Sequence, residues 1–350
     1  MTILPRSSNS DTLRYIITNA ALALSVPVVL CANAALADGF TWEGEIEIGN
    51  EQVISSDVAA NEIRNTYAII TATGTYTFGN GMAIFSTLTG ESVTDPTVDR
   101  TFEDMGLYVE ELGFSFDIGE SATLSIGKLH PVFGGAWDHA AGFFGGTLSE
   151  DYELTEQLGI LADVELNGAG TLSFGAFFAD DTSLSRSWGE DRGRNRASAG
   201  GAGNTGELDN FAIQWAHEVD NTRFHIGARH LSASLGDVDD EQGFVAGLGH
   251  SFGNGLDLFA EVAAFSNFGG TADDASFVTL NAAYAIGNWT LSGTLSQRDM
   301  DTAGKTDLHS LAAEYEFENG LALGGALAFQ DNGGVKDTIL GLNLIIPLGG

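Results

Sequence analysis

The sequence is poor in cysteine, proline and basic residues, and each shortage argues against a class of protein. One cysteine and 5 prolines occur among 350 residues. A single cysteine excludes a scaffold held by disulfides within the chain. Lys and Arg total 14 against 48 Asp and Glu, which gives a formal net charge of −34. Binding to nucleic acid requires clustered basic side chains that neutralise phosphates, so this charge argues against such a partner.

Long hydrophobic runs are also missing. No apolar run in the body of the chain reaches the roughly 18 residues that a membrane helix needs. What the chain does contain is 43% hydrophobic residues, 18% charged residues and 46 glycines. Such a chain has enough apolar surface to bury a sizeable core, which argues against disorder despite the high charge.

The first 37 residues have the three parts of a secretory signal peptide. Two arginines precede a nearly apolar stretch at 20–30, and the Ala-Leu-Ala sequence at 35–37 fits the small-x-small cleavage rule. This pattern predicts cleavage between Ala37 and Asp38. We therefore expect an exported protein whose mature part, 38–350, contains no cysteine.

From Phe40 onward, apolar and polar side chains alternate, which is the period of a β-strand with one apolar face. Glycine and asparagine turn signals separate these strands. No long, well-capped helical periodicity follows the signal peptide. The alternation predicts sixteen strands, at 40–48, 65–78, 82–88, 105–116, 121–129, 157–166, 171–179, 209–219, 222–231, 243–252, 256–265, 276–286, 289–296, 308–317, 321–329 and 338–346.

Short turns and long polar loops alternate strictly between these strands, with the last two long loops at 297–307 and 330–337. This order is typical of a bacterial outer-membrane barrel with short periplasmic turns and long external loops. The predicted fold is therefore all-β, a transmembrane antiparallel barrel of about sixteen strands. A soluble β-sandwich or a β-solenoid is the alternative, but neither requires this alternation.

Aromatic side chains near the predicted strand ends agree with a membrane barrel, because interfacial rings belong there. Barrels of sixteen to eighteen strands leave an aqueous channel. The predicted inward faces, for example 71–77 and 245–251, carry small or polar residues that would leave the lumen open. The aromatic set is Phe78, Phe116, Phe252, Tyr284, Trp289, Phe317 and Phe329.

One strand end carries a motif with a family resemblance. Residues 124–129 end in Gly-Lys-Leu and run into His-Pro-Val-Phe-Gly-Gly, which contains Pro131, Phe133, Gly134 and Gly135. This sequence resembles the start of the third external loop of sixteen-stranded general bacterial porins, and the siderophore-porin group has a similar run. The resemblance implies that loop 131–156 folds into the barrel and narrows the pore, and that the chain forms a homotrimer.

The C-terminal end departs from the porin pattern. Porin-like chains usually end in an aromatic residue that the barrel assembly machinery reads, whereas this sequence ends in Pro-Leu-Gly-Gly at 347–350. Assembly by that machinery is still expected from the resemblance.

The third loop and one strand carry the charges that could shape a pore. The two arginines Arg223 and Arg229 lie on the polar face of strand 222–231 and are expected to face the lumen. Rings of carboxylates favour cations, and arginines across from them would set up a transverse field. The alternative is that the loop acids form a solvated surface. The predicted constriction acids are Asp138, Glu150, Asp151 and Glu153, with Glu156 at the end of the loop.

Other clusters give weaker signals. Four arginines in the predicted loop 180–208 could bind lipopolysaccharide phosphates or an anionic solute, or could simply balance neighbouring acids. The seven histidines lack metal-ligand spacing, and no cofactor or metal is predicted. An enzyme is not predicted, although Ser232 near His230 is a conceivable pair for a barrel lipase.

The sequence therefore predicts an outer-membrane channel for passive diffusion of small hydrophilic solutes, with a preference for cations because of the acid excess. The expected surroundings are outer-membrane lipid and lipopolysaccharide. Two alternatives stay open. One is a channel selective for siderophores or sugars, and the other is a structural or adhesive barrel that does not conduct.

Overall fold

A computed structural model describes residues 39–349, which form one closed antiparallel barrel of sixteen long strands. The predicted signal peptide and its cleavage site at Ala37 and Asp38 lie outside the described residues. The strands, labelled β1 to β16, are Phe40–Ser56, Arg64–Phe78, Met82–Ser92, Met105–Ile118, Ala122–Leu129, Gln157–Glu165, Thr171–Ala179, Asn210–Val219, Thr222–Leu231, Glu241–Ser251, Leu256–Ser266, Ala275–Ile286, Trp289–Met300, Gly304–Glu316, Ala322–Asn332 and Val335–Gly349.

Short elements occupy several of the long loops. Two-residue strands lie at Arg100–Thr101 and Trp188–Gly189. Among residues 39–349, no helix is both long enough and apolar enough to cross a membrane. The short helices are one α-helix, Ala136–His139, and 3₁₀ turns at Ala59–Asn61, Glu150–Tyr152, Ser183–Ser185, Ala197–Ala199 and Phe268–Gly270.

The barrel closes because β1 pairs with both β2 and β16. Ile46 lies opposite Ile70 of β2 and Ile346 of β16. Every neighbouring pair of the sixteen strands is antiparallel. A closed barrel leaves no unpaired strand edge, so every strand can satisfy its backbone hydrogen bonds within the sheet.

The two faces of each strand differ as the alternation predicted. In β10, Phe244 and Leu248 point outward and are exposed, whereas Val245, Gly247 and Gly249 are buried on the inner face. Outward-facing side chains are large and apolar around the barrel, with further examples at Ile226, Val262, Leu295 and Leu311. The predicted small and polar inner faces are confirmed.

Aromatic side chains cluster at the rim that carries the short turns. The rings of Trp289 and Tyr315 are 5.0 Å apart, and those of Tyr315 and Phe317 are 4.8 Å apart. Trp215 packs against Phe224 at 5.2 Å on the same rim. Amphipathic rings favour a boundary between water and an apolar phase, so this band is suited to a membrane interface.

Several strands are longer than the alternation predicted. β1 runs to Ser56 rather than 48, and β16 runs to Gly349 rather than 346. The predicted long loops at 297–307 and 330–337 were wrong, because the strands continue until only 301–303 and 333–334 remain. Beyond the apolar band both faces of a strand are polar, so the alternation disappears while the backbone ladder continues.

A β-bulge changes the inner face of β4. The pairing between β3 and β4 shifts between Thr87 and Leu88, so that Glu110 is an extra residue in β4. As a result Glu110 and Glu111 both point inward, where Glu110 accepts a hydrogen bond from Thr89 and Glu111 accepts one from Thr87 at 3.0 Å. Bulges re-aim side chains in this way.

Candidate functional site inside the barrel

The third long loop, 130–156, lies inside the barrel. The backbone N–H of Gly134 donates to Oε1 of Gln214 on β8 at 2.7 Å. The side chain of Asn281 on β12 donates to the carbonyl oxygen of Ala141 at 2.9 Å. Both side chains belong to the inner faces of their strands. The loop therefore crosses the lumen and contacts strands that are far apart around the barrel.

Two glycines allow the loop to approach the wall closely. A Cβ added to Gly142, whose φ is +103°, would lie 2.4 Å from Oγ of Ser292 on β13. A Cβ added to Gly341 on β16 would lie 2.5 Å from the ring of Phe143. Because no other residue omits the Cβ, both contacts depend on glycine.

The two ends of the loop meet in an aromatic cluster around Arg229. The guanidinium of Arg229 lies 4.8 Å from the ring centroid of Phe133 and 4.6 Å from that of Phe265. Its Nε donates a hydrogen bond to the carboxylate of Glu241 at 2.7 Å, and its Nη1 donates one to the carbonyl oxygen of Tyr152 at 2.5 Å. The side chain is 3% exposed. Arg229 faces inward as predicted, but it lies under the loop and holds both loop ends in place.

Glu261 on β11 is a second anchor, and the sequence did not identify it. Its carboxylate accepts hydrogen bonds from the backbone N–H of Ala136 at 3.2 Å and from the hydroxyl of Tyr152. It also lies 2.6 Å from Nε2 of His225. Glu261 is 1% exposed, so it ties three inner elements together without contact with water.

Glycines in β10 let side chains of β9 reach across that strand toward β11. A Cβ at Gly247 would lie 2.2 Å from the ring of His225, and one at Gly249 would lie 2.6 Å from the guanidinium of Arg223. Arg223 then pairs with Asp257 of β11, at 2.6 and 2.9 Å. The predicted inward position of Arg223 is therefore occupied by an ion pair on the wall.

The middle of the loop packs against the opposite part of the wall. Phe144 and Leu148 form a buried cluster with Val53 of β1, Leu308 of β14 and Ile339 of β16. Burying apolar side chains contributes about 25 cal/mol per Å² of apolar surface. The loop is thus fixed at both ends by polar anchors and in the middle by packing.

The acids predicted to line a constriction have different surroundings. Asp151 is paired with Arg298, whose Nη1 lies 2.5 Å from Oδ2. Glu156 accepts two hydrogen bonds from Arg192, at 2.7 and 2.9 Å, and lies 3.4 Å from Nζ of Lys128. In the C-terminal part of the loop, each of these two carboxylates therefore forms an ion pair with an arginine.

The other three acids lie on or directly beside the short helical elements of the loop. Asp138 lies half-buried on the short helix, and Glu153 directly follows the 3₁₀ turn that contains Glu150. Burial raises the pKa of Glu150 well above its usual value, and the negative charges of Glu153 and Asp151 raise this pKa further. The carboxyl of Glu150 is therefore ionised less readily than that of an ordinary glutamate.

The wall formed by β16, β1, β2 and β3 supplies carboxylates that the sequence did not single out. Glu47 of β1 accepts hydrogen bonds from Asn343 at 3.1 Å and from the hydroxyl of Tyr67 at 3.3 Å. Glu91 of β3 accepts one from the hydroxyl of Tyr108 at 2.8 Å. Alternation places both acids on the inner face, which is the signal that could have identified them.

Comparison with known proteins decides the type of barrel. No family model matches the chain, and no curated protein sequence matches it significantly. Two engineered variants of the porin of Rhodopseudomonas blastica match over 88% of this chain and 100% of their own, each with 16% sequence identity and a TM-score of 0.60. The chain has the sixteen-stranded porin fold. At this identity the similarity concerns the fold, and the remaining conclusions rest on the geometry of the chain itself.

In this porin-type barrel the predicted loop motif begins the inward path. Phe133 is buried in the cluster around Arg229, and Gly134 has a φ of +84° that favours glycine. A Cβ on Gly134 would lie 3.0 Å from the ring of Tyr152. Pro131 precedes this turn. Ala136, which directly follows Gly135, donates its backbone N–H to the carboxylate of Glu261.

The arginines of the fourth long loop are engaged locally. Arg186 pairs with Asp191, and Arg194 donates to the carbonyl oxygen of Asp181 at 2.7 Å. Besides binding Glu156, Arg192 lies 3.8 Å from the ring centroid of Tyr108. These contacts support the interpretation that the arginines balance neighbouring acids.

The pair considered for catalysis does not have triad geometry. Oγ of Ser232 lies 3.5 Å from Nε2 of His230 and donates to the carbonyl oxygen of Asp209 at 3.0 Å. The nearest carboxylate oxygen to His230 belongs to Asp240, 3.8 Å from the same nitrogen. A triad needs the nucleophile and the orienting acid on different ring nitrogens of the histidine.

Proposed function

We propose that the protein is an outer-membrane porin, which forms a water-filled channel for passive diffusion of small hydrophilic solutes and prefers cations. The observation that carries this proposal is the position of loop 130–156, which crosses the lumen of a sixteen-stranded barrel. A barrel of this size is too wide for its inner side chains to fill.

The cation preference follows from how the inner charges are arranged. The basic side chains Arg223, Arg229 and Arg298 each pair with a carboxylate. Glu47 accepts a hydrogen bond from the amide of Asn343, and Glu91 accepts one from the hydroxyl of Tyr108, and both of these donors are neutral. Carboxylates that line a lumen attract cations and repel anions.

We also propose a route by which the chain reaches the outer membrane. The signal sequence would be cleaved between Ala37 and Asp38, and the barrel assembly machinery would insert 38–350 into the outer membrane. The apolar outer face and its aromatic rim suit contact with lipid and lipopolysaccharide. A homotrimer is the assembly that the porin fold suggests.

Liposome swelling tests the proposal. The refolded mature chain is reconstituted into liposomes, which are then diluted into isosmotic solutions of neutral sugars of increasing size. We expect fast swelling with small sugars and a steady decrease in rate with solute size. Swelling with only one sugar would support a substrate-selective channel instead. No swelling, with barrel folding verified by heat-modifiable gel mobility, would support a structural or adhesive barrel.

A further inference from the structure

A cavity that is partly open to the lumen lies between the middle of the third loop and the wall of β1 to β3. One side of this cavity is apolar and includes the rings of Tyr67, Phe143 and Phe144. The rings of Phe143 and Phe144 are in edge contact, with centroids 4.7 Å apart.

The polar lining of the same cavity is mostly anionic. Four carboxylates line it, those of Glu51, Glu91, Asp95 and Glu150, together with the guanidinium of Arg100. Arg100 is already held by other groups: it donates to Asn65 at 2.8 Å and to the carbonyl oxygen of Thr94 at 2.6 Å, and it lies 3.4 Å from Asp104, which is not part of the lining. Carboxyl groups therefore outnumber basic groups in the lining, beside an apolar surface.

Glu150 has a carboxylate oxygen in this part of the protein to which no group in the described part of the chain donates a hydrogen bond. Its Oε2 is shielded from solvent and has no hydrogen-bond partner among residues 39–349. A buried polar atom without a partner costs free energy, and a buried carboxylate costs more. A ligand that holds a positive charge beside this carboxyl would reduce that cost.

We propose that this cavity binds a small amphiphilic organic cation, with an ammonium or trialkylammonium head against Glu150 and an apolar body against Phe143 and Phe144. Cationic heads bind favourably both to carboxylates and to the faces of aromatic rings. The proposal rests on the proposed channel, since it names a class of solute that the channel would hold beside its third loop.

Proton release would accompany this binding. The pKa of Glu150 is raised well above its usual value by burial and by neighbouring acids, so the carboxyl is more often protonated than an ordinary glutamate. A cation bound at this carboxyl favours its ionised form. Binding should therefore release protons, and it should strengthen as the pH rises through the raised pKa.

Titration calorimetry on the folded barrel in detergent tests the proposal without requiring conduction. Benzyltrimethylammonium is the probe, because it combines an apolar ring with a permanent positive charge. Benzenesulfonate has a similar ring with the opposite charge, and tetramethylammonium has the head alone. We expect saturable binding of the probe, weaker binding of tetramethylammonium and no binding of benzenesulfonate. Repeating the titration in buffers of different ionisation enthalpy should show proton release.

Two matched variants locate the site. Glu150→Gln removes the carboxylate that faces the cavity, and we expect it to weaken probe binding at least about tenfold. Glu153→Gln removes the same charge three residues away, at a position that does not line the cavity, and should change binding less than about threefold. Asp95→Asn, in an exposed loop where the change does not threaten folding, should also weaken binding.

Three results would overturn the proposal: no heat of binding from folded protein, equal binding of benzenesulfonate, or equal weakening by the substitutions at 150 and 153. The last result would mean diffuse attraction by the acidic lumen. Liposome swelling tests the channel and probe binding tests the cation site, so each proposal can be rejected without the other. Swelling without probe binding would reject only the cation site, and probe binding without swelling would reject only the open channel.

Discussion

The inner wall formed by β9, β10 and β11 differs from the wall formed by β16, β1, β2 and β3 in how its charges are satisfied. On the first wall, each charge has a partner of opposite sign: Arg223 with Asp257 at 2.6 Å, and Arg229 with Glu241 at 2.7 Å. On the second wall, Glu47 and Glu91 accept hydrogen bonds from neutral amide and hydroxyl groups. We call these the paired wall and the acidic wall.

The difference shows that charge inside one barrel can serve two purposes. Buried ion pairs with several hydrogen bonds fix geometry, because removing one partner leaves an uncompensated charge. The paired wall accordingly holds the third loop through Arg229 and Glu261. Carboxylates that line a lumen attract cations, and we propose that the acidic wall acts on ions in this way.

The largest expected effect comes from breaking the paired wall at Glu261. Glu261→Ala removes the carboxylate that binds Ala136, Tyr152 and His225, and should lower the free energy of unfolding by roughly 3–5 kcal/mol. The released loop should also increase the unit conductance. Denaturant unfolding in detergent and planar-bilayer recording measure the two effects. Asp257→Ala, which leaves the loop anchors intact, is the control, and an equal loss in both variants would contradict the anchoring role.

Neutralising the acidic wall should alter selectivity without affecting stability as strongly. The double change Glu47→Gln and Glu91→Gln removes two carboxyl groups from the inner face and keeps the size of both side chains. We expect the cation-to-anion permeability ratio to fall about fivefold, as for a contribution of about 1 kcal/mol in an aqueous lumen. Reversal potentials under a KCl gradient measure this ratio. Glu103→Gln, in an exposed loop, should leave it unchanged, and a similar fall there would point to surface charge.

The loop on the paired wall should also weaken in acid because of His139. Burial, aided by the positive charges of Arg223 and His225, lowers the pKa of His139 to about 3 from an ordinary 6.5. The unfolded chain therefore takes up a proton below about pH 6.5 that the folded loop does not accept until about pH 3. Stability from neutral His139 is present above pH 6.5 and is lost as the pH falls through this window.

The contribution of His139 to the loss of stability in acid can be measured with the variant His139→Leu. Between pH 6.5 and pH 5 the loss amounts to roughly 2 kcal/mol, at about 1.4 kcal/mol for each pH unit. Wild type should lose that much more stability than the variant in denaturant unfolding at the two pH values. Parallel losses in both proteins would show that His139 is protonated without cost.

The smallest effect is expected outside the barrel, where neither kind of wall applies. Arg186→Gln removes an exposed pair with Asp191 in the fourth long loop. Exposed ion pairs contribute little because water screens them, so neither the midpoint of thermal unfolding nor the conductance should change measurably. Arg192→Gln, which loses the bonds to Glu156 at the loop end, is the informative counterpart and should lower the midpoint.

The sequence was sufficient to predict the barrel because alternation and turn chemistry are local properties. Val245, Gly247 and Gly249 were placed on the inner face by counting alone. The inward loop was implied by the run around Pro131 and Phe133. Strand ends were less accurate, since alternation fades at the rims while pairing continues, as β1 shows beyond residue 48.

The anchors could not be predicted because they depend on register across several strands. Alternation places Glu261 on the inner face, but its contacts with Ala136 and Tyr152 require the path of a loop more than a hundred residues away in sequence. The paired position of Arg229 depends on the same path. The bulge at Glu110 was hidden for a related reason, because two successive glutamates fit either face of a regular strand.

The reversal potential of the wild-type protein in a planar bilayer under a KCl gradient tests the central claim most directly. We predict open single-channel steps with a potential of the sign that cation selectivity gives, because the inner arginines Arg223, Arg229 and Arg298 are held in ion pairs, whereas the wall of β16, β1, β2 and β3 carries Glu47 and Glu91. An anion-selective potential would contradict this prediction, since the lumen would then be governed by Arg223 and Arg229, whose charges the structure places in ion pairs.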